Sequence, residues 1–124
     1  MDAVAEVLLK YLRDVIHKPT TAVLDIEALP VDFKDLGKGI HFFAECVVQS
    51  MALANAMSKG DLNSEVPPRQ NEIAAPLKSL HASLRHLTWQ AQQIAKGDYR
   101  QNVDFLGDFS ISFNAMTKHL KECQ

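Results

Sequence analysis

Apolar residues in the second half of the chain recur at alternating intervals of four and three positions. From Ile73 to Ile94 the intervals are 4, 3, 4, 3, 4 and 3. This heptad pattern predicts a long helix with a narrow apolar stripe that packs against other helices. The stripe, called the central seam below, consists of Ile73, Leu77, Leu80, Leu84, Leu87, Ala91 and Ile94.

A second stripe with the same spacing lies 37 residues earlier in the chain. This upstream seam consists of Ile40, Phe43, Val47, Ser50, Ala54 and Met57. The match continues beyond the seams, where residues 59–62 and Val66 align with residues 96–99 and Val103. The chain therefore contains an internal repeat of helix, connector and helix, and the predicted long helix belongs to both copies.

Start and stop signals place the other helices. Asp2 can cap an N-terminal helix that ends before Pro19, since the residue preceding proline disfavours the helical conformation. The second helix is predicted to begin at Asp32 or Asp35 and to end near Ser58. A last helix carries another heptad stripe, formed by Leu106, Phe109, Phe113, Met116, Leu120 and Cys123.

The predicted fold is all-α, a helical bundle of repeated helix–connector–helix units with a short N-terminal helix. Residues 1–34 form an N-terminal helical cap, residues 35–96 the first unit, and residues 72–122 the second unit. The two units share the long middle helix. The short second connector permits either a return along that helix or a simple antiparallel turn, so the direction of the last helix stays open.

Composition excludes several classes of function. A net charge of -2 over 124 residues provides no long-range attraction to nucleic acid or to acidic membranes. No apolar run approaches the roughly 18 residues that a membrane-spanning helix needs. Cys46 and Cys123 lie far apart in the sequence, so a disulfide framework is not expected. A cytoplasmic location is therefore expected.

The connectors carry motifs that resemble those of HAMP domains, the parallel helical linkers of bacterial sensor proteins. That family joins two helices by a connector of pattern Gly-x-hydrophobic-x-x-x-hydrophobic. The chain has this pattern twice, from Gly60 to Val66 and from Gly97 to Val103. The segments Asn71-Glu72-Ile73-Ala74 and Phe113-Asn114-Ala115-Met116 resemble the family's second helix, although Ala74 stands where the family usually has glycine.

The resemblance implies a tandem HAMP array that acts as a signal relay. Such a module forms a parallel homodimer and transmits a conformational change from a sensor input to an output enzyme, typically a histidine kinase or a diguanylate cyclase. The dimer contacts would come from the central seam between Leu77 and Ile94. The connector and relay positions would be Gly60, Leu62, Val66, Glu72, Pro76, Gly97, Tyr99 and Val103.

The aliphatic residues of the connectors are expected to be buried. Leu62 and Val66 lie in an otherwise polar segment, which indicates that they pack against the helices. Tyr99 and Val103 should do the same in the second copy. Trp89 lies off the central seam and is expected to pack beneath a connector or the N-terminal helix.

Two other functions compete with signal relay. A phosphotransfer bundle could use His81 or His86, which lie on the long helix off the seam and are expected at its solvated surface. The flanking sequence lacks the signatures of known phosphoacceptor histidines, and histidines five positions apart diverge on a helix and so do not favour metal binding. A purely structural oligomerisation module is the third option. No catalytic residue, metal or cofactor is expected.

Overall fold

The computed structural model describes residues 2–123 and shows an all-α chain, with no strand in that range. This confirms the predicted fold class. The elements are α1 (Ala3–His17), a 3-10 turn (Ile26–Ala28), α2 (Val31–Ser58), a second 3-10 turn (Glu72–Ala74), α3 (Ala75–Ala95) and α4 (Asp108–Glu122). They divide into two compact units, Met1–Ala75 and Pro76–Gln124.

The helix ends follow the local sequence signals. The side chain of Asp2 caps α1 by accepting a hydrogen bond from the backbone N–H of Val4 at 2.7 Å. Asn71 accepts a hydrogen bond from the backbone N–H of Ala74 and so caps the 3-10 turn that leads into α3. The hydroxyl of Ser110 accepts a hydrogen bond from the backbone N–H of Leu106 at 2.8 Å, just before α4.

The repeat in sequence corresponds to a repeat in backbone geometry. After α2, Gly60 has a φ of +80°, and after α3, Gly97 has a φ of +96°. The N–H of the residue that follows each glycine donates a hydrogen bond to the carbonyl five residues earlier. These bonds join Asp61 to Ala56 at 2.9 Å and Asp98 to Gln93 at 3.0 Å. Both helices therefore end in a Schellman motif, which favours glycine at the left-handed position.

The first unit has its core between α1 and α2. Tyr11 and Val15 from α1 pack with Leu24 and with Ala44 of α2. Gly37 is buried in α2 beneath Leu29, where a β-carbon would collide with the leucine side chain. The 28-residue helix α2 thus carries the N-terminal segment along its first half.

The second unit has its core where α3, the second connector and α4 meet. Its buried centre is formed by Ile94, Val103 and Phe113. Four partly buried residues pack against this centre, namely Leu87, Tyr99, Phe105 and Leu106.

The second connector returns along α3. The carbonyl of Asn102 accepts a hydrogen bond from Gln90, and further along the connector the ring of Phe105 lies 5.3 Å from that of His86. α4 then leads back to the buried centre, where Phe113 packs in the same cluster as Ile94. These contacts make α4 run in the same direction as α3, which answers the question that the sequence left open.

The side chain of Trp89 departs from expectation. Trp89 is 50% exposed and stacks on His86 with ring centroids 6.0 Å apart, so the prediction that it packs beneath a connector or the N-terminal helix is wrong. His86 and Trp89 lie three positions apart on α3, so their side chains are neighbours on the helix surface and the indole can lie along its own helix. Of the two cysteines, Cys46 is buried and Cys123 is exposed.

Candidate functional site

The second connector is fixed by the side chain of Asn114, which lies on α4. Its Oδ1 accepts a hydrogen bond from the Val103 N–H at 2.9 Å, and its Nδ2 donates to the Val103 carbonyl at 2.7 Å. The amide thereby satisfies both backbone polar groups of one connector residue. Val103 itself is 1% exposed, so its isopropyl group fills the core while its backbone is held from the side.

A second amide holds the connector from α3. Gln90 is 4% exposed, and its Nε2 donates to the Asn102 carbonyl at 2.9 Å. Its Oε1 is buried and has no hydrogen-bond partner among residues 2–123. Adjacent connector residues are therefore tied to different helices, Asn102 to α3 and Val103 to α4.

The start of the second connector is ordered by Asp98. Its carboxylate accepts hydrogen bonds from the Arg100 backbone N–H at 3.1 Å and from the Arg100 Nε at 3.0 Å. Gln101 donates to the same carboxylate at 3.1 Å. The hydrogen bonds from Arg100 hold the pKa of the Asp98 carboxyl below its ordinary value, because they stabilise the charged form.

The first connector is anchored at other positions. Val66 is 46% exposed and Leu62 is half-buried, so the predicted burial of Val66 is wrong. Pro67 and Asn71 are buried instead. The chain has seven positions from Val66 to the central seam, against three from Val103 to the last seam, so the tight contact can form further along the connector.

Asn71 is the main polar anchor of the first connector. It is 2% exposed, and its Nδ2 donates to the Cys46 carbonyl and to the Gln49 Oε1, both at 3.0 Å. Its Oδ1 accepts the capping hydrogen bond from Ala74. One side chain thus ties the 3-10 turn at Glu72–Ala74 to the middle of α2.

The other predicted connector positions lie at the surface. Gly60 and Gly97 are exposed at the two helix ends, and Glu72 and Pro76 are exposed around the beginning of α3. Tyr99 is half-buried at the edge of the second core.

The central seam is only partly covered within the chain. Ile94 is buried and Leu77, Leu84 and Leu87 are half-buried, whereas Ile73 is 48% exposed and Leu80 is 42% exposed. α4 shows the same mixture, because Phe113 is buried and its stripe neighbours are not. These exposed neighbours are Phe109 at 52%, Met116 at 49% and Leu120 at 39%.

Comparison with known families identifies the second unit. The family model described as HAMP domain matches residues 77–122, which span α3 from Leu77, the second connector and α4. Residues 77–122 belong to the HAMP domain family. No curated protein and no solved structure matches the chain.

The HAMP assignment confirms the family that the connector motifs indicated. HAMP domains are non-catalytic linkers of signal transduction. The family match does not extend to residues 35–76, so a first HAMP copy there stays a prediction based on the internal repeat. None of the helices within residues 2–123 combines the length and apolarity that crossing a membrane requires.

The histidines of the HAMP helix α3 are not equivalent. His81 is 4% exposed, so its expected position at the solvated surface is wrong. A phosphoryl donor could not reach this buried ring. His86 is exposed, and its ring contacts those of Trp89 and Phe105. Within residues 2–123 no three His, Cys, Asp or Glu side chains lie together in a way that could hold a metal ion.

The amide clamps were missed by the reasoning from sequence. Asn114 is part of the Phe-Asn-x-Met motif. The periodicity of apolar residues, however, predicts no function for a polar residue that lies beside the stripe. Gln90 likewise occupies a polar position of α3. The signal that could have found them is chemical. Buried backbone groups of an irregular connector require hydrogen-bond partners, and flanking Asn and Gln side chains can both donate and accept.

Proposed function

We propose that this chain relays conformational signals as a parallel homodimer in which the HAMP unit forms a four-helix arrangement with its copy. The observation that carries the proposal is the uncovered face of the central seam. Leu80 and Ile73 remain about half exposed although they belong to an unbroken heptad stripe. A stripe of this kind is the packing surface of a helix bundle, and a second copy would cover it.

The energetics favour such a pairing. Complete burial of one large aliphatic side chain contributes about 1.5–3 kcal/mol. Leu80, Phe109, Met116 and Leu120 are all between 39% and 52% exposed, so each has apolar surface left to bury in each protomer. A parallel dimer would bring each of these residues towards the same residue of its partner, because the same helix face meets itself across a two-fold axis.

The connector clamps give the relay its mechanical unit. Asn114 and Gln90 hold the second connector to α4 and α3, respectively. Helices tied together in this way shift as a pair, which favours two discrete packings over gradual deformation. Small seam residues such as Ser50, Ala54 and Ala91 would lower the difference in free energy between the two packings, so that an input could change their balance.

The partners of this relay follow from its class. The input would act on the N-terminal side, and the output would be a histidine kinase or a diguanylate cyclase coupled to α4, in the cytoplasm. Residues 35–96 would form a first HAMP-like unit in series with the assigned one, because they share its repeat, its glycine-terminated helix and its Schellman motif.

Sedimentation of the full chain tests the dimer. The wild type should sediment as a dimer at micromolar concentration, and Leu80→Glu should shift it to a monomer, because the dimer would bury an unpaired carboxylate. Leu80 is 42% exposed in the single chain, so the variant should still fold. Gln92→Glu adds the same charge at an exposed position off the seam and should remain dimeric. A wild-type chain that stays monomeric at high concentration would contradict the proposal.

A further inference from the structure

A small cavity lies between α1 and α2 in the first unit. Its volume is about 240 Å³, smaller than the pockets that hold drug-sized ligands. Its apolar lining comes from Val15, Pro19, Ala22, Ala44 and Val48. Its polar lining comes from Tyr11, His41, Glu45 and Gln49. No part of the HAMP match overlaps it, and the relay mechanism does not use it.

The polar side chains of the cavity form a connected group. The rings of Tyr11 and His41 stack with centroids 6.3 Å apart, and the Nε2 of His41 lies 3.5 Å from the Oε1 of Glu45. Tyr11 is 5% exposed, whereas the Glu45 side chain is 56% exposed, so its carboxylate remains accessible to a ligand.

The charge of the lining selects the ligand class. Glu45 is the carboxylate of the group, and no Lys or Arg is among the described residues that line the cavity. Burial raises the pKa of the Tyr11 hydroxyl, and the Glu45 carboxylate adds to this effect, so the phenol stays neutral at physiological pH. An anion would be repelled here, whereas a cation would gain from the carboxylate and from the aromatic ring face.

We propose that this cavity binds a small organic ammonium ion. The ammonium group would donate hydrogen bonds to the Glu45 carboxylate and to the Tyr11 hydroxyl oxygen. The hydrocarbon part would pack on Val15 and Val48. The limited volume restricts the class to compact amines with a short apolar body.

The site is also connected to the first connector. Gln49 lines the cavity, and its Oε1 accepts the hydrogen bond from Asn71 that ties the 3-10 turn at Glu72–Ala74 to α2. A ligand that engages the Gln49 amide would alter this contact. Occupancy would thus serve as an input to the relay, and this role, unlike binding itself, rests on the proposed function.

Calorimetric titration of the full chain with phenethylamine tests the site. Phenylacetate and 2-phenylethanol are matched probes that replace the ammonium group by a carboxylate or a neutral hydroxyl. Phenethylamine should bind at least tenfold more tightly than either. Glu45→Gln should weaken the binding of phenethylamine at least tenfold, and Glu6→Gln, which removes an exposed carboxylate of α1, should leave it unchanged. Equal binding of the three probes, or none, would overturn the proposal.

The input role has its own readout. The side-chain amide resonances of Asn71 and the backbone amide resonance of Ala74, which donates to Asn71, should shift when phenethylamine binds to the wild-type chain. Binding without these shifts would refute the input role and leave the dimeric relay standing. Sedimentation, measured separately, tests the dimer on which the proposed relay depends.

Discussion

At the scale of single residues, Asn114 does the most to define the HAMP unit. Its amide pairs with both the N–H and the carbonyl of Val103, much as a neighbouring strand would. An irregular connector has no ladder of its own, so each buried backbone group depends on a side chain for its hydrogen bond. The unit therefore owes the position of its connector to side-chain amides, Asn114 among them, as well as to apolar packing.

Replacing Asn114 by alanine should destabilise the chain. Two hydrogen bonds to buried backbone groups are lost, and leaving such groups unpaired costs about 1–3 kcal/mol each. The expected loss in the free energy of unfolding is about 2–6 kcal/mol, measured by denaturant titration. Asn102→Ala is the control, since Asn102 contributes its backbone carbonyl to the clamp and its side chain is exposed. Equal effects of the two substitutions would contradict the role of the Asn114 amide.

Alanine substitutions at the two glycines of α2, Gly37 and Gly39, are expected to have different effects on stability. Alanine raises helix propensity by about 1 kcal/mol over glycine in a helix interior, which should stabilise Gly39→Ala because its β-carbon would meet open space. Gly37→Ala would press against the buried Leu29, and overpacking costs about 1–3 kcal/mol. The free energy of unfolding of Gly37→Ala should therefore fall below that of Gly39→Ala by about 1–3 kcal/mol. If both variants gain stability equally, the packing at Gly37 is not as described.

Asp98 links the second connector to pH. Its folded-state pKa is lowered by its hydrogen bonds with Arg100, so the ionised form stabilises the fold. This stabilisation is complete above the pKa of the unfolded chain, about 4, and is lost as the pH falls through the lower folded pKa. Asp98→Asn should therefore flatten the acid limb of the stability curve. Asp104→Asn, which removes an exposed carboxylate of the same connector, should leave that limb steep.

At the scale of elements, the two connectors are both anchored to the preceding helix, but through residues at different positions. Both follow a glycine-terminated helix, and both place a buried residue against the preceding helix region. In the second connector this residue is Val103, whereas in the first connector Pro67 and Asn71 are buried and Val66 is half exposed. The aligned valines therefore have different environments despite their equivalent positions in the repeat.

This difference gives a matched pair of substitutions. Val103→Ala removes methyl groups from a side chain that is 1% exposed, and it should cost about 1–3 kcal/mol in the free energy of unfolding. Val66→Ala removes the same atoms from a side chain that is 46% exposed, and it should cost less than about 1 kcal/mol. A larger loss for Val66→Ala than for Val103→Ala would show that the first connector is held as its sequence motif indicated.

The sequence predicted the elements better than their contacts. Heptad spacing, Asp2, Gly60 and Gly97 located the helices, because periodicity and capping act over one or two turns. The position of Val66 could not be predicted, because it depends on how a long connector returns to its helix. The burial of His81 and the exposure of Trp89 were not predicted, for a similar reason. An apolar stripe does not reveal which adjacent face the rest of the fold covers.

The internal repeat shows both the strength and the limit of sequence alignment. It indicated two copies of helix, connector and helix, and in the structure the helix before each connector ends in a Schellman motif. It did not indicate that Leu53 of the first copy corresponds to Gln90 of the second, where one buried position is aliphatic and the other donates a hydrogen bond to the connector. The two copies share a backbone plan while their buried chemistry differs.

At the scale of the whole molecule, the proposed relay requires that the HAMP helices meet a partner in a defined direction. α4 runs parallel to α3 within the chain, which follows from the return of the second connector. Parallel pairing with a second copy would place each seam residue beside its own counterpart, so that a shift of one helix pair is opposed by the same pair of the partner. An antiparallel pairing would separate the counterparts and would disconnect the input end from the output end.

Cysteine cross-linking at the central seam tests this claim most directly. Ala91 and Ala82 are both exposed alanines of α3, the first on the seam and the second on the opposite face of the helix. In a background with Cys46→Ser and Cys123→Ser, oxidation of Ala91→Cys should produce a covalent dimer, because parallel helices bring the two thiols within the range of a disulfide. Ala82→Cys should stay monomeric on a denaturing gel. Efficient cross-linking at Ala82 with none at Ala91 would contradict a parallel relay through this seam.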